Sequence, residues 1–134
     1  MTRLDWNVLD LDYEQEATRI CARLREILAR TLHRRGMVVA ISGGIDSSVS
    51  AALSVRAIGA ERVYGLLLPE QDSSGASVTR GRMLAEHLGI RHELFDIAPT
   101  LEAIGCYRWR DEAIRNVFPE YGAGWKNKIV ISGG

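Results

Sequence analysis

Val38-Val39-Ala40-Ile41-Ser42-Gly43-Gly44-Ile45-Asp46-Ser47-Ser48 reads as a short β-branched strand that ends in paired glycines and passes into a helix start. Gly43 and Gly44 carry no Cβ, so the chain there can turn with positive φ and bring its N–H groups close to an anion. The helix that follows adds N–H groups without intrahelical partners and the positive end of its dipole. Ser42, Ser47 and Ser48 supply hydroxyl donors, and Asp46 supplies a carboxylate able to hold Mg²⁺ beside phosphates. A bare strand–turn–helix junction needs only a glycine and one capping residue. The full Ser-Gly-Gly-Ile-Asp-Ser run, placed straight after an apolar strand, favours a phosphate-binding turn.

Working outward, the same rhythm recurs. Residues 12 to 35 have apolar positions Ala17, Ile20, Cys21, Leu24, Ile27, Leu28 and Leu32 at helical spacing. Asp12 and Gln15 stand at capping-box spacing, and Gly36 suits the position just past the helix end. Arg19, Arg23, Arg30 and Arg34 lie off the apolar stripe and read as a solvated face. Met37 to Ile41 form the first strand, an unbroken apolar run suited to the centre of a parallel sheet. Ser47 to Ile58 form a helix of small apolar residues closing near Gly59. Val63 to Leu68 form a second strand stopped by Pro69, followed by a polar loop over 70–76. Ser77 to Leu88 form a third helix ending at Gly89. His92 to Ile97 form a third strand whose alternation suggests a sheet edge.

This βαβαβ order with short connections predicts right-handed crossovers and an α/β, doubly wound parallel sheet of Rossmann-like type. Ligands in such sheets sit beyond the carboxyl ends of the strands, where the Ser42–Gly44 turn falls. The chain is expected to form a single nucleotide-binding domain over 1–134. Its parts are an N-terminal helix (1–36), a βαβαβ core (37–98) and a helical and loop segment with a terminal strand (99–134). In the last part, Thr100 to Ile104 and Tyr107 to Val117 read as short helices separated by Gly105, and Ile129 to Ile131 as a strand. Ile131-Ser132-Gly133-Gly134 repeats Ile41-Ser42-Gly43-Gly44 without the helix or acidic residue, and is read as coincidence. A strand at the chain's end predicts that the sheet, and the protein, continue beyond it.

Composition narrows the classes. With 134 residues, 46% hydrophobic and 25% charged, the chain can bury a core of its own. Seventeen basic residues balance seventeen acidic ones, so no net field draws in nucleic acid or membrane. Every apolar run is interrupted by charge well short of a membrane span, and Met1 to Trp6 do not resemble a signal peptide. Cys21 and Cys106 are too few for a disulfide framework or a zinc site, which fits a reducing cytoplasm.

Two common nucleotide loops are excluded. A Walker loop needs a lysine before its hydroxyl residue, and the dinucleotide fingerprint needs a third glycine at fixed spacing. Ser42-Gly43-Gly44-Ile45-Asp46-Ser47 instead resembles the SGGxDS loop of the N-type ATP pyrophosphatases, the PP-loop or adenine nucleotide alpha hydrolase-like superfamily. Within it, the surrounding segments are most similar to ammonia-dependent NAD synthetases. Those segments are Val63-Tyr64-Gly65-Leu66-Leu67-Leu68-Pro69, the Ser73-Ser74 loop and Leu84-Ala85-Glu86-His87-Leu88-Gly89-Ile90. Tyr107 to Lys128 resembles an insertion found in some of them.

The resemblance implies a two-step amide-forming ligase. A substrate carboxylate, deamido-NAD, attacks the α-phosphate of ATP and releases pyrophosphate; ammonia then displaces AMP to give NAD. It implies that Ser42, Gly43, Gly44, Asp46, Ser47 and Ser48 bind ATP and its pyrophosphate, with Asp46 and Ser47 as the catalytic pair. Asp46 would be the Mg²⁺ ligand, and the adenine would lie near Leu66 and Leu68. ATP and Mg²⁺ are the implied cofactors. Ammonia would come from solution or a separate glutaminase, and a homodimer is left open. The same loop also serves sulfur-transfer enzymes, in which Cys106 would be the nucleophile, and a non-catalytic ATP-binding or oligomerisation module is the further alternative. Asp72, Ser73 and Ser74 read chiefly as turn formers, and Arg80 and Arg82 as solvated helix residues. His33, His87 and His92 show no ligand spacing.

Overall fold

The computed structural model describes residues 10–122 and 124–125. The terminal strand expected at Ile129 to Ile131, the Ile131–Gly134 repeat and Met1 to Trp6 lie outside these residues. The chain divides into two compact units, meeting between Asp96 and Ile97.

The first unit opens with α1 (Tyr13–Glu26). Asp12 caps it, its carboxylate accepting from the N–H groups of Glu14 and Gln15 at 3.1 and 3.0 Å. The helix then widens into a π-turn over Ile27–Thr31. The expected glycine stop at Gly36 is not how it ends. His33 takes the left-handed conformation, φ 50°, and the Arg34 N–H reaches back to the Leu28 carbonyl at 2.9 Å. Gly36 serves a different need, since a Cβ there would stand 2.8 Å from the Arg62 carbonyl oxygen.

Three strands follow, β1 (Met37–Ala40), β2 (Val63–Leu67) and β3 (Arg91–Leu94), joined by α2 (Ile45–Ile58), a 3₁₀ turn (Ala60–Arg62) and α3 (Gly75–His87). They pair in the order β1-β2-β3, all parallel, with Val39 opposite Gly65 and Gly65 opposite His92. This is the α/β parallel sheet expected from the sequence. The central strand among the described residues is β2 rather than β1. Among the described residues β3 stands at an edge, in keeping with its alternation.

Both crossovers step the same way, and α2 and α3 therefore share one face of the sheet. Ile41, Ala51, Val63, Ala85 and Ile90 form a single buried cluster there, with Val39, Val55, Ile58 and Leu84 packed around it. Alanine and glycine bring the helices in close. Ala51 and Ala85 are fully buried, and a Cβ on Gly81 would stand 3.1 Å from Leu67 Cδ2 and 3.3 Å from the Ile41 carbonyl oxygen. α1 packs on α2, tied by Arg56, which donates to the Glu14 carboxylate and to Thr18 Oγ1. Among the described residues the other face is less covered: Val38 is 65% exposed, and Tyr64 and Leu66 are half-buried. There Arg91 lies over the Tyr64 ring, and the hydrogen bond to Glu93 holds the Tyr64 phenol above its ordinary pKa.

The second unit begins with α4 (Ala98–Ala103), carrying Pro99 in its first turn. Gly105 in the left-handed region leads into α5 (Cys106–Arg115). Tyr107 is buried, with the Arg110 guanidinium over its ring, and Arg115 Nε donates to the Tyr121 carbonyl at 3.1 Å. Trp125 packs edge-on against Tyr121.

Candidate phosphate loop and cleft

The loop between β1 and α2 lies at the carboxyl end of the strands. The ladder holds its base: the Ile41 N–H donates to the Leu66 carbonyl at 2.8 Å. Gly43 turns the chain at φ 76°, and a Cβ at that position would stand only 2.3 Å from the Ser77 carbonyl oxygen in the first turn of α3. Only glycine satisfies both demands.

Gly44 is the N-cap of α2 and has no side chain to offer. The helix therefore starts two residues earlier than the sequence suggests, placing Asp46 and Ser47 inside its first turn. α1 and α3 have their caps, from Asp12 and from Ser74. In α2, no described group accepts from the N–H of Ile45, Asp46 or Ser47. Three donors are left at the positive end of a fourteen-residue helix.

The serines tie the loop to itself. Ser47 Oγ accepts from the Ser42 N–H at 3.2 Å, lies 3.0 Å from Ser42 Oγ and donates to the Gly44 carbonyl at 3.1 Å. Ser42 Oγ also accepts from the Gly44 N–H at 3.3 Å. Ser48 Oγ donates to the Gly44 carbonyl at 2.7 Å, the backward bond common to helical serines. Ser47 thus closes the turn, and Ser48 spends its proton within the helix. The Asp46 carboxylate is exposed and makes no hydrogen bond or ion pair among the described residues.

Beside the loop, a cleft of about 500 Å³ is lined by Ile41, Ser42, Leu66, Leu68, Asp72 and Ser77 among others. The two residues expected near an adenine, Leu66 and Leu68, both border it. Their backbones differ in availability. The Leu66 and Leu67 carbonyls already accept from Ile41 and Phe95, whereas Leu68 lies past the last paired position, Leu67 opposite Leu94. The loop over 70–73 is self-bonded. Ser73 Oγ accepts from the Glu70 N–H, and the Glu70 carboxylate accepts from the Asp72 N–H, each at 3.0 Å. Ser74 caps α3.

Arg80, read from the sequence as a solvated residue, is exposed and also reaches the loop. Its Nε donates to the Gly43 carbonyl at 3.1 Å, and Nη2 lies 3.4 Å from Ser77 Oγ. Thirty-seven residues separate Arg80 from Gly43, so no local pattern announces the contact. Cys21 is buried against the Leu53 carbonyl, and Cys106 is exposed at the start of α5. Among the described residues, no three His, Cys, Asp or Glu side chains cluster as a metal site, and no helix is long and apolar enough to cross a membrane.

A glycine turn and a helix start at the carboxyl edge of a parallel sheet, beside a partly apolar cleft, form the arrangement that nucleotide-binding α/β proteins use. The particular family follows from comparison. The NAD synthase family model matches residues 16–118, and the chain belongs to that family. It is 52% identical over 126 residues to an NH(3)-dependent NAD(+) synthetase of Rhizobium meliloti, a match covering 94% of this chain and 37% of that protein. Among solved structures, it is similar to an NH3-dependent NAD synthetase from Campylobacter jejuni in complex with the nitrate ion. That likeness has a TM-score of 0.66 and 26% identity, covering 81% of this chain and half of the other. A glutamine-dependent NAD+ synthetase from Acinetobacter baumannii in complex with ADP matches with a TM-score of 0.56 and 25% identity, over 80% of this chain and 20% of that one. The chain thus spans well under half the length of its curated relative.

Proposed function

We propose that this chain carries the ATP-binding loop of an amide-forming ligase that adenylates a carboxylate, releases pyrophosphate and passes the acyl-adenylate to ammonia. The observation that carries this reading is the uncapped start of α2, with three N–H donors beside a serine-tied turn and a cleft of about 500 Å³. In such a reaction the departing group is pyrophosphate, so donors that meet growing negative charge lower the barrier without a reactive side chain. Membership of the NAD synthase family supports deamido-NAD as the acceptor and NAD as the product. The names of the relatives support ammonia as the nitrogen donor, free or derived from glutamine.

The roles divide by what each residue has to offer. Gly43, Gly44 and the first turn of α2 present backbone donors to the β- and γ-phosphates. Ser42 and Ser47 hold the turn closed and lend hydroxyls to its rim, and Ser48 steadies the Gly44 carbonyl. Leu66 and Leu68 flank the adenine, with the Leu68 backbone available to its edge. The residues also fit Mg²⁺ in the manner that ion favours, through one or two carboxylates with the substrate's phosphates and water. Asp46 is an exposed carboxylate in the first helical turn, without a partner among the described residues. The ion, when bound, would neutralise charge on the polyphosphate. Cys106 has no part in this scheme.

ATP–pyrophosphate exchange tests the proposal. With Mg²⁺ and deamido-NAD, labelled pyrophosphate is expected to enter ATP, and Asp46→Ala is expected to reduce the exchange by at least about a hundredfold, the scale of losing one preorganised electrostatic group. ATP binding without exchange, across several carboxylate acceptors, would leave a nucleotide-binding module in place of the ligase.

A further inference from the structure

We infer that Arg80 is a positioning residue that holds the Gly43–Gly44 peptide in its phosphate-admitting orientation, an inference that rests on the reading of this loop as the seat of the ATP phosphates. The paired glycines that make the turn also make it soft. Rotating ψ of Gly43 against φ of Gly44 turns the intervening peptide over with little movement elsewhere, and glycine's broad conformational map tolerates both orientations. In a trans peptide the carbonyl and the N–H point in opposite directions. A flip would therefore place the Gly43 carbonyl, an acceptor, on the side where the Gly44 N–H now stands beside the Ser42 hydroxyl. Phosphate would then meet a negative partial charge instead of a donor.

Both ends of this peptide are held, but unequally. The Gly44 N–H bond to Ser42 Oγ is long, at 3.3 Å. The Gly43 carbonyl receives the Arg80 Nε–H at 3.1 Å, and a bond from an ionised donor is the stronger kind. Arg80 is itself braced. Its Nη2 reaches Ser77 Oγ, which lies 2.8 Å from the hydroxyl of Ser74, the cap of α3. The same turn of α3 presses the Ser77 carbonyl against the Cα of Gly43, which excludes a side chain there. The backbone of α3 thus forces the loop to be glycine, and one turn further on Arg80 restrains the freedom that glycine brings. No carboxylate pairs with Arg80 among the described residues, so the guanidinium is left to the loop.

The test is calorimetric titration of the 134-residue chain, Arg80→Gln and Arg80→Lys with ATP, inorganic pyrophosphate and adenosine. Both variants are expected to lose on the order of tenfold in affinity for ATP and pyrophosphate, the scale of one hydrogen bond to a charged group. Adenosine, which carries no phosphate, is expected to bind as before. Lysine keeps the charge but cannot place a planar Nε–H on the carbonyl, so wild-type pyrophosphate affinity in Arg80→Lys would overturn positioning in favour of charge alone. Unchanged affinity in Arg80→Gln would overturn any role, and an equal loss for adenosine would show general damage and also overturn it. Failure of the wild-type chain to bind either phosphate ligand would overturn the reading of the loop itself, a result separable from all of these.

Discussion

Gly43 shows how much a single position can constrain. Its φ of 76° is the left-handed region, and the Ser77 carbonyl occupies the space of a side chain. Gly43→Ala is expected to cost at least about 2 kcal/mol, since the left-handed conformation alone costs an L-residue roughly 1–2 kcal/mol and the clash is with backbone. Thermal melting measures that loss, and ATP titration of the same variant should show weaker binding even where the fold survives. The sequence made this position legible because a Gly-Gly pair after an apolar strand has few other uses. It did not make the reason legible. The turn explains a glycine, but the pressure from α3 and the restraint by Arg80 arise between segments more than thirty residues apart. Gly36 teaches the same lesson in reverse. Its place after a helical stripe suggests a helix stop, yet a tertiary approach to the Arg62 carbonyl is what requires it, and His33 takes the left-handed role.

Among the elements, α2 starts two residues earlier than capping logic predicts, because that logic looks for a side-chain acceptor and this helix has none. The departure from the rule coincides with the candidate site, as local exceptions often do. α1 and α2 are joined by the Glu14–Arg56 pair, in which hydrogen bonding and the guanidinium charge hold the Glu14 carboxyl below its ordinary pKa. A depressed carboxylate stabilises the fold above its unfolded pKa, about 4.3, and that contribution disappears as pH falls through the lower folded value. The difference in melting temperature between wild type and Glu14→Gln is therefore expected to be constant near pH 6 and to shrink steadily below about pH 4.3. High salt should reduce it further, because both groups face solvent. A difference that grew on acidification would contradict the assignment.

At the scale of the whole molecule, the alternation along β2 divides the sheet, among the described residues, into a face covered by helices and a less covered one. Val63, Gly65 and Leu67 point into the helical layer and are buried, whereas Tyr64 and Leu66 face the other way. Leu67→Ala is expected to cost about 2–5 kcal/mol, as large-to-small changes in a packed core do. Val38→Thr, on the less covered face, should stay within about 0.5 kcal/mol of wild type, and urea denaturation of the two variants compares them directly. The parallel α/β plan was legible from the order of strands and helices. The central place of β2 among the described strands was not, because an apolar run records burial without saying which neighbours provide it.

The missing cap on α2 has a thermodynamic consequence. Among the described residues the Ile45, Asp46 and Ser47 amides find no acceptor, so an anion seated there would complete the helix as well as occupy a site. Binding and folding then draw on the same free energy: a ligand at a hundred times its dissociation constant adds about 2.7 kcal/mol to global stability. On the proposed reading, the nucleotide would supply the acceptors that the first turn of α2 lacks among the described residues.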